Sequence, residues 1–347
     1  MTSKRQDIIL NYLKQQGPSS RENLEQHLLL LGQSVSKVTL LRDLDKLVYA
    51  ALVEKSGTGR ATKYALSFHT AQTLPIDVAD YFSRDADDRT LRSEQFNFGV
   101  FQEMHHLLTA EELEELDALN AIFRQKKEKL SPRLQQKEFE RLTVELAWKS
   151  SKIEGCSYNV LEVERLLKEG IAPQEKTAEE TQMVMNHKKA LDYVLEQPDY
   201  YKEITVAKIE EIHTLLTAGL GVEKGIHSGL VGIVGTNYRP LDNKFQIREA
   251  LERLANLLNE TKNTIERALL AVLMISYIQP FEDGNKRTSR ILGNAILLAE
   301  DYCPLSYRSV NEIEYKKGII LFYEQNNISY FKQLFLEQFR HAAGKYF

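Results

Sequence analysis

Apolar positions recur at three- and four-residue spacing along most of the chain and give way to alternation in two short places. Ile8, Ile9, Tyr12 and Leu13 share one side of a first helix, which "PSS" interrupts at Pro18. Ser20, with Glu22 and Asn23, opens a second helix that Gly32 stops. In a third, "SKVTLLRDLDKLVYAALV", the spacing places Val38, Leu41, Leu44, Leu47 and Val48 on the apolar face and Lys37, Thr39, Arg42, Asp45 and Lys46 away from it. The period then changes. "LVEKSGTGRATKYAL" predicts two short strands around a turn at Gly57 to Gly59. "SFHTAQTLPIDVADYFSRDADDRT", with its proline, small polar residues and clustered Asp, predicts a linker. From Thr109, a capping residue with Glu112 three positions on, the pattern is helical almost to the end. The exception is 229–241, "GLVGIVGTNYRPL", where Val231, Ile233 and Val234 sit among Gly229, Gly232, Gly235 and Pro240 and predict a short hairpin on a helical bundle. The stripe "YKKGIILFYEQNNISYFKQLFLEQF" predicts a core helix pair or a subunit contact within a homo-oligomer. The expected fold is mainly α, divided as 1–70, a linker and lead-in segment at 71–108 and a helical domain at 109–347.

Three short helices and a basic hairpin resemble a winged helix-turn-helix, with the third helix in the recognition position and the hairpin as the wing. That resemblance implies DNA as a partner of residues 1–70, contacted by Arg42, Arg60 and Lys63; a protein-docking module is the alternative. A net charge of −4 over 347 residues confines any such contact to one region. Cys156 and Cys303 are far apart and outside any metal-ligand pattern, which suggests neither a disulfide framework nor a zinc site. The amphipathic N-terminus and the absence of a long apolar run predict a cytoplasmic protein that engages no membrane.

The densest chemistry lies in "QPFEDGNKRTSRIL", a loop entering a helix. Free amides in a first helical turn, the positive end of the dipole and a glycine that lets the chain approach closely all favour a phosphate there. Asp283 suits a Mg²⁺ that bridges phosphates, and Arg287 and Arg290, three apart, are forked donors on adjacent faces of that turn. Gln279, ahead of Pro280 and Phe281, carries an amide that neither takes up nor releases a proton near neutral pH.

This ordered set resembles the signature of the Fic family, His-Pro-Phe-x-Asp-Gly-Asn-Gly-Arg-x-x-Arg, and seven of its nine specified positions match. The resemblance implies a protein AMP-transferase using Mg·ATP and a target protein that presents a hydroxyl. Asp283 would bind Mg²⁺, Gly284 and Asn285 would cradle phosphate, and Arg287 and Arg290 would hold the β- and γ-phosphates. Gln279 stands at the catalytic His and Lys286, counted here with the nucleotide-binding residues, at the second glycine. Lys286 is shared with the Doc branch, which resembles Fic proteins and phosphorylates its target, so AMP and phosphoryl transfer both stay open. "SSKIEG", residues 150–155, resembles the inhibitory helix motif of self-inhibited members, with Ser150, Glu154 and Gly155 at its specified positions. A carboxylate on Arg290 would occupy the cation meant for the γ-phosphate. The 229–241 segment resembles the family's target-holding flap, through Gly232, Ile233, Val234, Gly235 and Thr236. His187, His213 and His227 read as polar residues without metal-ligand spacing, and Trp148 and Tyr158 as packing residues. A degraded nucleotide-transferring enzyme, a catalytically silent ATP-responsive DNA-binding regulator and an engineered loss of the His remain as alternatives.

Overall fold

The structure, a computed structural model, describes residues 2–347 except the side chains of Arg60, Phe68, His69 and Glu103. The chain divides into two compact units, Met1–Pro75 and Ile76–Phe347.

The first unit runs α1 (Lys4–Gln16), β1 (Ser19–Ser20), α2 (Arg21–Leu30), α3 (Lys37–Tyr49), β2 (Val53–Ser56), β3 (Lys63–Leu66) and α4 (Phe68–Thr73). Ser3, Ser20, Ser36 and Ser67 start its helices, each hydroxyl accepting from the amide three residues on. The strands form an antiparallel sheet in the order β1-β3-β2, with Val53 opposite Leu66 and Ser20 opposite Lys63. This element order is consistent with a winged helix-turn-helix. The buried face of α3 differs from the expected one. Leu40, Asp43, Leu44 and Leu47 point inward and Val38 is 65% exposed. Both stripes satisfy helical spacing; the inner one buries Leu40, Leu44 and Leu47 in the small core, and the Arg5 guanidinium, 2.5 Å from the Asp43 carboxylate, gives the acid on that face a partner.

The second unit contains α5 (Val78–Tyr81), α6 (Val100–Glu103), α7 (Ala110–Lys129), α8 (Pro132–Ile153), α9 (Val160–Glu169), α10 (Ala178–Glu196), α11 (Val206–Thr217), α12 (Lys244–Glu260), α13 (Thr264–Ile278), α14 (Asn285–Ala299), α15 (Glu312–Gln325) and α16 (Ser329–Lys345). The Thr109–Glu112 capping box that opens α7 forms as its sequence predicts. Every residue of α13 is buried, which explains why it is apolar on all sides, and α14 packs along it. Gly293 permits that approach, since a Cβ there would lie 2.8 Å from Val272 Cγ2. α15 and α16 supply Tyr315, Phe322, Phe331 and Phe339 to the same core, so their aromatic stripe is internal.

Two expectations change. The linker within 71–108 is shorter than expected and the lead-in longer: from Ile76 the segment belongs to the second unit, and Phe96, Val100, Phe101 and Met104 enter its core. The charged run from Arg84 to Arg92 precedes these apolar positions and masks them from a reading by composition. Residues 229–241 turn at Val234 and Gly235 as a hairpin would, yet carry no strand ladder. A parallel bridge joins Gln95 to Arg239 instead, because short arms with positive-φ glycines at 229 and 235 leave few residues to pair.

Candidate functional site

The loop between α13 and α14 is held from within. Asn285 is its organiser: Oδ1 accepts from Phe281 N at 2.9 Å, while Nδ2 donates to Phe281 O at 2.7 Å and to Gln279 Oε1 at 2.9 Å. Gln279 ends α13 in the left-handed conformation, φ 51°, and its Nε2 donates to Ser276 O at 2.6 Å and to Tyr323 Oη at 3.2 Å. The carboxamide is thus engaged at both ends, its oxygen accepting from Asn285. Two histidines brace the loop's far side. His213 stacks on Phe281 with ring centres 3.8 Å apart, and its Nε2 donates to Asp283 O. His227 contacts Gln279 O through Nε2 and Pro280 O through its amide, so it reaches the loop through the backbone. Burial pushes the His213 pKa down to about 4, keeping it neutral.

Gly284 begins α14 at φ 82°, with no side chain capping the helix, so the first-turn amides face the cleft. Arg287 is 2% exposed; its Nη2 meets Asp283 Oδ2 at 2.6 Å and its Nη1 is buried without a partner. Asp283 itself stays largely open to solvent. One turn on, Arg290 is fully buried. Its Nε donates to Ser150 Oγ at 2.9 Å, and its Nη2 to Ser150 O at 3.0 Å and Glu154 Oε1 at 2.6 Å. Lys286 Nζ lies 3.8 Å from Glu154 Oε2. Burial alone would raise the Glu154 pKa; Arg290, Lys286 and Arg287 outweigh it and hold the carboxyl below its ordinary value. Glu154 ends α8, and Gly155, at φ 102°, turns the chain away just behind it.

His187 is the residue sequence reasoning missed. Its Nδ1 lies 2.9 Å from Met183 O, which only accepts, so that nitrogen carries the proton. Nε2 therefore accepts from the Ser150 hydroxyl at 2.7 Å, and Ser150 Oγ is left to accept from Arg290. Burial drives the His187 pKa down to about 3, which preserves this order. The i−4 bond to Met183 follows from helical spacing, but nothing in the sequence joins residue 187 to 150.

Beside them lies a cleft of about 360 Å³, lined by Glu154, Gln279, Asp283, Arg287, Tyr323 and the flap residues Val231 to Val234. An uncapped helix start with a partnerless buried guanidinium nitrogen fits a polyphosphate, and the solvent-open Asp283 carboxylate suits Mg²⁺, which keeps most ligands from water and phosphate. Among the described residues no cluster of three metal-ligating side chains exists. Gly232, Ile233, Val234, Gly235 and Thr236 lie along the flap, with Val234 96% exposed. Trp148 and Tyr158 pack in a small cluster beside the Glu154 turn, and both cysteines are free and buried. In the first unit Arg42 and Lys63 are not buried, while the Arg60 side chain lies outside the described residues. No helix among the described residues is long and apolar enough to cross a membrane.

Residues 203–297 match the Fic/DOC family model, so a Fic/DOC domain lies within the second unit. The chain is 30% identical over 176 residues to a protein adenylyltransferase Fic of Nematostella vectensis, covering 48% of this chain and 40% of that protein. A protein adenylyltransferase Fic of Drosophila erecta is 27% identical over 158 residues, covering 44% and 32%. The chain therefore spans under half the length of these curated relatives. Similar solved folds include Fic-1 of C. elegans, with TM-score 0.56, 20% identity and 68% and 70% of the two chains covered. A Fic family protein of Desulfovibrio desulfuricans G20 gives TM-score 0.55 at 19% identity, covering 69% and 74%.

Proposed function

We propose that the chain is a self-inhibited, Mg·ATP-binding protein of the protein AMP-transferase type, with transfer slowed or silenced by Gln279. The observation that carries the reading is the buried Arg290 guanidinium with Glu154 seated on it at 2.6 Å. Arg287 and the first turn of α14 would hold phosphate oxygens, and Asp283 a Mg²⁺ bridging them; Mg·ATP supplies the activated phosphate chain. While Glu154 stays in place, Arg290 cannot turn its donors to the nucleotide, so the nucleotide binds weakly or askew. The acceptor would be a protein hydroxyl presented along residues 229–241. Here the chain's own chemistry thins out, because the Gln279 amide cannot take the hydroxyl proton and its oxygen already serves Asn285.

The absence of a proton acceptor at Gln279 favours a second reading, a catalytically silent ATP-responsive regulator that contacts DNA through residues 1–70. Asp43, whose charge would oppose phosphate on α3, is buried and paired, which leaves Arg42 and Lys63 less opposed. Incubation with ATP labelled separately at the α- and γ-phosphates, with a cell extract as acceptor source, separates the outcomes. α-Label on protein supports AMP transfer, γ-label alone supports phosphoryl transfer, and neither, with Mg·ATP still bound, supports the regulator.

A further inference from the structure

Residues 76–97, the first stretch of the second unit, make a set of contacts that nucleotide handling does not require. At their centre is Glu324 of α15, fully buried, which accepts from Arg89 Nε and Nη2 at 3.0 Å each and from Tyr81 Oη at 2.7 Å. A fourth donor is Thr236 Oγ1 of the flap, at 2.7 Å. Arg89 Nη2 also donates to Gly235 O at 2.5 Å. Asn237 Nδ2 reaches Asp87 Oδ1 at 2.9 Å, and Arg239 N donates to Glu94 O at 2.8 Å. A buried ion pair costs desolvation that the attraction alone repays poorly, and such pairs persist where extra hydrogen bonds fix a particular arrangement. What these bonds fix is the flap's turn. On its near side, residues 231–234 make no backbone hydrogen bond to any described residue, and Leu230 and Val234 project outward at 84% and 96% exposure.

We propose that Arg89 and Glu324, with Tyr81 and Thr236, form a lock that presets the flap, so that its unpaired backbone edge is rigid before an extended polypeptide segment arrives. An edge already in its bound conformation loses less freedom on pairing with a strand, so the lock raises affinity for the acceptor without touching the nucleotide. Arg89, Glu324 and Tyr81 are positioning residues, since each acts through Gly235 or Thr236. The lock rests on the acceptor role proposed above for the flap, and its test is independent of nucleotide binding.

The full chain carries a nitroxide at Val234→Cys; the native Cys156 and Cys303 are buried, so labelling is selective. Arg89→Lys keeps a charge for Glu324 but lacks the second arm to Gly235. Thr236→Val removes the donor to Glu324 and the acceptor of Tyr238 N at nearly constant shape, and Thr236→Ser restores both. The expected result is a rotational correlation time shortened roughly twofold or more by Arg89→Lys and by Thr236→Val, and restored by Thr236→Ser. Affinity for Mg·ATP, titrated in parallel, stays the same in all forms. Unchanged label mobility, with or without a lower melting temperature, assigns the network to stability alone and overturns the proposal. Failure of every form to bind Mg·ATP would instead remove the nucleotide reading and leave the lock to be judged by the label.

Discussion

The loop 279–284 and the flap 229–241 face each other across one cleft and are built on opposite principles. Loop side chains are spent on the loop itself: Asn285 alone ties three atoms, Gln279 is bonded at both ends, and His213 and His227 brace the backbone from behind. The flap has outward side chains at Leu230 and Val234, no strand ladder and an anchor supplied from elsewhere. A region that must hold a small charged ligand gains from being over-determined. One that receives a polymer backbone gains from keeping its own backbone unpaired.

Restoring a proton acceptor to the loop should disturb this contrast most. Gln279→His combined with Glu154→Gly is expected to raise α-label transfer by about two to four powers of ten, the usual worth of a positioned base. Glu154→Gly alone should give a smaller gain, because it frees Arg290 and leaves the base missing. Next comes the loop's organiser. Asn285→Ala removes three buried hydrogen bonds and is expected to cost about 2 to 4 kcal/mol in chemical denaturation of the second unit. A third test uses pH. His187 has a folded pKa near 3, so the unfolded chain binds a proton that the native state refuses, and its contribution to stability is complete above about pH 6.5 and is lost as pH falls toward 3. Native His187 should therefore account for roughly 2 kcal/mol of the loss between pH 6.5 and 5, at about 1.4 kcal/mol per pH unit. His187→Gln should flatten the acid limb by that amount. The smallest effect is expected at the flap, where Val234→Ser should change stability by less than about 0.5 kcal/mol.

The loop is legible in the sequence because its residues are neighbours in the chain and their order carries the resemblance. Glu154 is legible through its own short motif, and its carboxylate lies 2.6 Å from Arg290 Nη2. The partners of these residues are not legible. His187 lies 37 positions from Ser150 and Glu324 lies 235 from Arg89, and no local period links such pairs. Lys286 stands where the signature has its second glycine, and its amine lies 3.8 Å from Glu154 Oε2, adding a second cation to that carboxylate. α3 shows the limit of periodicity itself, since two apolar stripes satisfy it, and the face that is buried carries Asp43, whose partner Arg5 lies 38 residues away.

Everything proposed for the nucleotide turns on Glu154 occupying the cation meant for the far end of a bound phosphate chain. Calorimetric titration of Mg·ATP into the native chain, Glu154→Gly and Arg290→Ala puts that to the test without requiring any transfer. The expected order is tightest for Glu154→Gly, intermediate for the native chain and weakest for Arg290→Ala, with steps of about tenfold, the worth of one charge-assisted hydrogen bond. Equal affinity in all three would contradict the proposed inhibition and leave Glu154 and Arg290 as a structural pair at the end of α8.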